Sequence, residues 1–315
     1  MLLAENKDCF MTEPIAYLNG ETVSISEAKL SVFDLGIMQA ATVTEMIRTF
    51  GLRPYRLDDH LDRLFRSIDA VGFSMQLDRS DLRQVVEDIV SHNAKLIDPR
   101  LDLGVSVFVT AGTSPIAPEG IAHEGLTVCV HTYLLPFRHW ADLYETGQQL
   151  VVPRIRHIPP ESLDPRIKTR SRLHWYLADR QAKLIDASSR AVLLDQYGHI
   201  TETSTGNFFA VIDGCILTPS EKTTLGGVSQ MVINELAAEL NIECDDADLR
   251  ADDTIIATEL FTTSTPYCIL PVTRFNGHSI NGGVPGPVYL QVLSAWKEAV
   301  GVDIMEQMRI GARLA

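Results

Sequence analysis

Residues 134–143, LLPFRHWADL, interrupt the alternation of strand-like and helix-like segments that fills the rest of the chain. Pro136 has no amide hydrogen to donate and pushes the residue before it out of helical geometry, so no regular element is expected to run through this stretch. The break leaves two bodies of comparable size in a chain of 315 residues. A single core stops growing at roughly 250–300 residues, so two domains are expected. The boundaries read as a smaller N-terminal domain over 1–135, a linker over 136–143 and a larger C-terminal domain over 144–315.

Within the first body, residues 16–24 and 42–50 are strand-like, being rich in β-branched and aromatic side chains, and 53–56 follow a turn at Gly51. A helix is expected to start at Asp58 as N-cap, because Leu61, Leu64, Phe65, Ile68 and Val71 recur at three- and four-residue steps. A second helix is expected over 79–94, and buried strands over 103–109 and 126–133. In the second body, strands are expected at 149–155, 191–194, 199–201, 254–261 and 268–272, with helices at 170–184, 228–240 and 289–299. Asp213-Gly214 should close a hairpin between 208–212 and 215–218. The overall expectation is a two-domain α+β or α/β protein.

Charge and composition narrow the function. Hydrophobic residues at 45% and charged residues at 22% suit a globular chain with little disorder. A net charge of −14 with scattered basic residues argues against nucleic acid or an anionic membrane as partner, since both require clustered Lys and Arg. No apolar stretch has the length of a signal sequence or membrane span, so a cytoplasmic location is expected. Cys9, Cys129, Cys215, Cys244 and Cys268 are odd in number and lack a C-x-x-C pair, which suits free thiols in a reducing compartment. No H-E-x-x-H or Cys/His cluster points to a metal, and Ser171 and Ser204 lack the G-x-S-x-G setting of a nucleophile.

Chemistry concentrates in four segments. Lys168 begins Lys168-Thr169-Arg170-Ser171-Arg172-Leu173, follows an Asp164-Pro165 turn and is expected to open a helix, with its amine at a mouth. Glu202 and Asn207 lie in Thr201-Glu202-Thr203-Ser204-Thr205-Gly206-Asn207-Phe208-Phe209, with Glu202 34 residues beyond Lys168. In Leu225-Gly226-Gly227-Val228-Ser229 the glycines permit a tight turn into a helix, where the amides of Val228 and Ser229 can point at an anion with the helix dipole in support. Thr263-Ser264-Thr265 supplies further hydroxyls. His174 and Trp175, close behind Lys168, are expected to pack rather than to react.

Taken in order, these segments resemble the class IV, or fold type IV, pyridoxal-phosphate family. Its members include branched-chain and D-amino-acid aminotransferases, aminodeoxychorismate lyase and R-selective amine transaminases. The resemblance extends upstream through Thr44-Glu45-Met46-Ile47-Arg48 and His60-Leu61-Asp62-Arg63-Leu64. It implies a D-amino-acid aminotransferase-like fold with a small N-terminal α/β domain and a larger domain around a β-barrel-like core. It also implies pyridoxal 5'-phosphate as cofactor, an amino donor and a 2-oxo acid acceptor as partners, and a homodimer. By the same resemblance Lys168 carries the cofactor and moves protons, and Glu202 keeps the pyridine nitrogen protonated so that the ring accepts an electron pair. Arg63, Gly227, Val228, Ser229, Ser264 and Thr265 would bind the cofactor, with Arg63, Val228, Ser229 and Thr265 at its phosphate.

On the substrate side the chain departs from the subfamilies. Gln39 and Thr44 stand where branched-chain enzymes carry a Tyr and a Phe, and the arginine those enzymes have near Gly104 is absent. The loop 111–118, AGTSPIAP, lacks the Arg and His of the D-amino-acid enzymes. Leu173 replaces a Tyr that meets the cofactor's phenolate oxygen, which brings the Lys-x-x-x-Arg-Leu pattern closer to the lyases. Arg48 is left as candidate carboxylate partner or, equally, as a structural ion pair, beside Gln39 and Thr44 as candidate substrate contacts. Amino transfer of branched-chain type stays the leading expectation that the resemblance implies, with a lyase or a D-amino-acid or R-amine transaminase as alternatives.

Overall fold

The computed structural model describes residues 12–120, 123 and 125–314. The expectations for residues 1–11, the Cys9 thiol among them, lie outside the described residues. The chain forms two compact units, one of Met1–Leu135 with Ile167–Ser171, the other of Pro136–Arg166 with Arg172–Ala315.

The first unit runs β1 (Ile15–Leu18), β2 (Glu21–Ser24), α1 (Leu35–Met38), β3 (Thr42–Phe50), β4 (Arg53–Pro54), α2 (Leu57–Ala70), α3 (Arg79–Asn93), β5 (Leu103–Thr110) and β6 (Thr127–Leu134). The stretch expected as one strand over 16–24 is a hairpin, because Asn19 and Gly20 both take positive φ and turn the chain between β1 and β2. Six strands pair antiparallel in the order β2-β1-β6-β5-β3-β4. Strand alternation sends Val43, Ile47, Val105, Val107, Val109, Val128 and Val130 into a core with Leu57, Leu61, Leu64 and Ile68 of α2 and Leu82, Val86, Ile89 and Val90 of α3. The other parity of the same strands mixes polar and aromatic residues with Met46, Gly104 and Cys129, setting Met46 opposite Ser106, Ser106 opposite His131, and Gly104 opposite Tyr133. Helix α2 begins one residue before the expected cap, after Arg56 in a left-handed conformation, so Asp58 sits in the first turn where its charge complements the helix dipole.

The second unit adds α4 (Leu143–Thr146), β7 (Gln148–Val151), α5 (Leu173–Ile185), β8 (Arg190–Leu194), β9 (Ile200–Thr203), β10 (Asn207–Ile212), β11 (Cys215–Thr218), α6 (Val228–Glu239), β12 (Cys244–Asp246), β13 (Glu259–Ser264), β14 (Cys268–Phe275), β15 (His278–Ser279), α7 (Pro287–Val300) and α8 (Ile304–Leu314). Strands β10, β13, β14, β7, β8 and β9 pair in that order, and a further β9–β10 pairing closes them into a six-stranded ring. Each ring strand contributes to one apolar cluster, through Leu150, Val192, Leu194, Ile200, Phe208, Ala210, Leu260, Val272 and Phe275, so the barrel is filled rather than hollow. A separate cluster joins α5 to the ring strands, with Trp175, Ala178 and Ala182 laid on Val151, Ala191 and Leu193.

Residues 136–143, expected as the interdomain linker, alternate exposed Arg138, His139 and Asp142 with buried side chains. Phe137, Trp140 and Ala141 are buried within the second unit, and the neighbouring Tyr144 donates its hydroxyl hydrogen to the Tyr267 carbonyl. The strand expected from 254 starts only at Glu259, after a 3-10 turn over Ala251–Ile255. Helix α8 has no counterpart among the sequence expectations. It packs on Phe137 at Gly311, where any Cβ would overlap the ring.

Candidate active site

Lys168 belongs to the first unit, in the short segment Ile167–Ser171 that rejoins it after the chain has entered the second. It does not open a helix. Its amide donates to Ser67 Oγ on α2 at 3.2 Å and its carbonyl accepts from Thr44 N on β3 at 2.9 Å. Arg170 N then donates to Thr42 O at 3.1 Å and Ser171 Oγ to Ala40 O at 3.1 Å. With these groups bound to β3, α2 and the turn before β3, helical bonding cannot begin until Leu173. The half-buried lysine is thus held by its backbone at two points.

Near it in the same unit lies a buried ionic cluster. Glu45 accepts from Arg63 through Nε at 2.8 Å and Nη2 at 2.6 Å, and His60 Nδ1 is 3.2 Å from the same carboxylate. Burial by itself would raise the Glu45 pKa, but the charges of Arg63 and His60 outweigh it and hold the carboxyl well below its ordinary range. For His60, burial lowers the pKa, Glu45 pulls the other way, and the positive charges of Arg63 and Lys168 reinforce the lowering. Glu45 therefore occupies one edge of the guanidinium that was expected to meet phosphate.

Of the substrate-side candidates, Thr44 meets Lys168 through its backbone and spends its hydroxyl hydrogen on Val107 O at 2.9 Å. Gln39 is exposed at the end of α1. Arg48 sits in an ion pair, the second of the two roles expected for it. It is buried, lies over the Phe50 ring at 3.8 Å, and pairs with the buried Asp102 at 3.9 Å. A guanidinium sealed in this way against its own carboxylate serves as a structural ion pair.

The second unit brings three of the chemical segments together around Asn207. It pairs with Glu202 across β9–β10 and with Thr263 across β10–β13, and its Nδ2 donates to Leu225 O at 2.8 Å. Gly227 lies so near that a Cβ there would overlap Asn207 Oδ1, so the glycine is needed for close approach. Ser264 Oγ donates to Thr205 O and locks the loop between β9 and β10 to the end of β13. Helix α6 follows Gly227, which has no side chain to cap it, and its first-turn amides at Val228 and Ser229 have no intrahelical acceptors. Ser229 is almost buried and Thr265 half-buried. Thr263 Oγ1, fully buried, has no hydrogen-bond partner among the described residues. Uncapped helix amides, hydroxyls and a nearby carboxylate form a donor and acceptor set that fits a phosphorylated pyridine ring, which needs anion binding at one end and an acceptor for a protonated nitrogen at the other.

Glu202 has a neighbour that no motif announced. His157 Nε2 lies 3.5 Å from Glu202 Oε1, while its Nδ1 meets the Ile158 carbonyl at 3.0 Å and so fixes the ring. Trp175 and His174 pack edge-on to the same imidazole with centroids at 5.5 and 5.7 Å, the packing role expected for them. Burial, with the charges of His157 and Arg172, pushes His174 down to about 4. Among the described residues no group of His, Cys, Asp and Glu could hold a metal, and no helix is long and apolar enough to cross a membrane. Cys129, Cys215, Cys244 and Cys268 are free thiols.

A closed barrel following a helix-backed antiparallel sheet, with a strand-anchored lysine and a glycine-led helix terminus, defines a fold type IV enzyme. The solved branched-chain amino acid aminotransferase of Escherichia coli has this fold, with a TM-score of 0.81 at 24% identity over 91% of this chain and 94% of that one. The class IV amino-transferase family profile matches residues 42–275, and the chain belongs to that family. Bacillus licheniformis D-alanine aminotransferase is 27% identical over 90% of this chain and 95% of its own length. The Arabidopsis thaliana branched-chain-amino-acid aminotransferase-like protein 1 is 29% identical over 90% of this chain, which spans only 50% of that relative.

Proposed function

We propose that the protein transfers an amino group between an amino acid and a 2-oxo acid, with Lys168 and Glu202 as its catalytic residues and pyridoxal 5'-phosphate as cofactor. The cofactor, when bound, supplies an aldehyde and an electron-accepting ring. Lys168 provides the amine that binds the aldehyde and then moves a proton at the substrate carbon, a task that suits a side chain whose backbone is fixed. Glu202 holds a proton at the pyridine nitrogen, and His157 keeps its carboxylate in place. The amides of Val228 and Ser229, with the Ser229 and Thr265 hydroxyls, bind phosphate, while Gly227 and Ser264 shape that loop. Arg63 adds positive charge from α2, partly offset by Glu45. The branched-chain and D-alanine aminotransferase relatives favour a donor with an apolar side chain. A homodimer in the cytoplasm completes the reading, and the free thiols suit a reducing compartment.

The observation that carries this reading is the meeting of Glu202, Leu225 and Thr263 at the single residue Asn207. Its test is reconstitution with pyridoxal phosphate, followed by assay of L-leucine and D-alanine as donors with 2-oxoglutarate as acceptor. The parent should transfer the amino group and, after borohydride reduction, carry cofactor on the peptide containing Lys168. The Lys168→Ala variant should do neither while remaining folded. Pyruvate released from aminodeoxychorismate over many turnovers without an acceptor, or covalent cofactor on a different lysine, would sink the proposal.

A further inference from the structure

Arg170 stands two residues beyond Lys168, in the segment fastened to β3 of the first unit. Its Nη2 donates to Ser106 Oγ at 2.8 Å, and Ser106 is a buried β5 residue flanked by Met46 and His131 in register. Across β6 the guanidinium acts electrostatically on the Tyr133 phenol and the Cys129 thiol, so it reaches over the polar face of the sheet, opposite the helices. Tyr133 lies over Gly104, where a Cβ would collide with the phenol ring, so the absence of a side chain at 104 makes its position possible. His131 lies between Phe108 and Tyr133 at centroid distances of 6.4 and 6.3 Å.

The charge on this face is unbalanced. Arg48 and Arg63 of the same unit each have a buried carboxylate partner, Asp102 and Glu45. Arg170 has no carboxylate partner among the described residues, and its side of the sheet is open enough to leave it and Tyr133 exposed. Burial, aided by the Arg170 charge, holds His131 below its ordinary range, so the imidazole adds no second cation at neutral pH. Beside the Asp102-paired Arg48, which the register sets opposite Gly104, the face therefore offers in Arg170 a planar cation whose position is set by a buried hydroxyl, with a phenol beside it. A carboxylate matches that geometry, because a guanidinium can meet both its oxygens at once.

We propose that Arg170, with Tyr133 beside it, is the specificity determinant that receives the carboxylate of the substrate. It would take the part of the subfamily arginines that the chain lacks near Gly104 and in residues 111–118. The inference rests on the transaminase reading, and it makes amino acids and oxo acids the substrates in preference to simple amines. Ser106 is a positioning residue that acts through Arg170.

Isothermal titration of the cofactor-loaded protein tests this without turnover, with 4-methylvalerate and glutarate as probes and their neutral amides as controls. The parent should bind at least one acid about ten- to hundredfold more tightly than its amide, the range of a charge-assisted hydrogen bond. Arg170→Met should erase that preference with cofactor retention unchanged, and Arg170→Lys should restore part of it. Ser106→Ala should weaken the acid without affecting the amide. A parent that prefers neither acid, or an Arg170→Met variant that keeps the full preference, overturns the inference. Amino transfer by L-leucine or D-alanine is measured in parallel, so intact transfer with no carboxylate preference separates failure here from failure of the proposed function.

Discussion

Glu45, His60 and Arg63 show how a buried charge is fixed by its neighbours. The motif around Arg63 points to a phosphate ligand, yet Glu45, eighteen positions earlier, takes its Nε–Nη2 edge. Breaking such a pair leaves the remaining charge uncompensated, which costs more than the intact pair stabilises. His157 poses the matching question for Glu202. Its imidazole faces that carboxylate, and its own orientation is fixed by the Ile158 carbonyl. In His157→Phe the ring shape survives and the polar contact does not. A polar contact at 3.5 Å to a partly buried carboxylate contributes about 0.5–1 kcal/mol, so kcat should fall roughly two- to fivefold with KM nearly unchanged. Steady-state kinetics with the best donor would decide this, and an unaltered kcat would leave His157 with packing alone.

Among the elements, the α6 terminus depends on a fit between two strands and a turn. Asn207 fills the space that a Cβ at position 227 would need and donates to Leu225 O from the same amide. Gly227→Ala should push the Asn207 side chain away, lose that hydrogen bond and shift the first-turn amides of α6. With about 0.5–1.5 kcal/mol at stake, the dissociation constant for pyridoxal phosphate should rise up to about tenfold. Titration of the cofactor-free variant checks it, and parent-like affinity would show that the turn has room to adjust. Helix α8 illustrates the same close packing away from the site, since Gly311 meets Phe137 without space for a methyl group. Its buried Ile304, Met308 and Gly311 keep helical spacing, so its signal was present in the sequence.

For the whole molecule, the buried cluster sets a pH window. The folded pKa of Glu45 is depressed below its ordinary 4.5, so its stabilisation is present above that value and disappears as pH falls toward the folded one. His60 is lowered from 6.5, so below that pH the unfolded chain takes up a proton that the folded chain refuses. Both signs agree, and stability should decline from about pH 6.5 downward, by up to about 1.4 kcal/mol per pH unit for each group. Urea unfolding between pH 8 and pH 4 measures the decline. The upper part of the slope should flatten in His60→Phe, and a urea midpoint independent of pH would contradict the cluster's role.

The chain by itself determined what depends on neighbours in sequence: the Asp213-Gly214 turn, the apolar stripe of α2, the glycine pair ahead of α6 and the ordered family motifs. These are set by local torsional preference and periodicity, which a sequence displays directly. Only the tertiary structure decided that Lys168 joins the first unit, through Thr44 and Ser67, the latter 101 positions away. It also decided that Phe137, Trp140 and Ala141 are buried, that Arg48 pairs with Asp102, and that His157 faces Glu202. Each of those outcomes turns on pairing between residues distant in the chain, where burial and charge compensation override the local pattern.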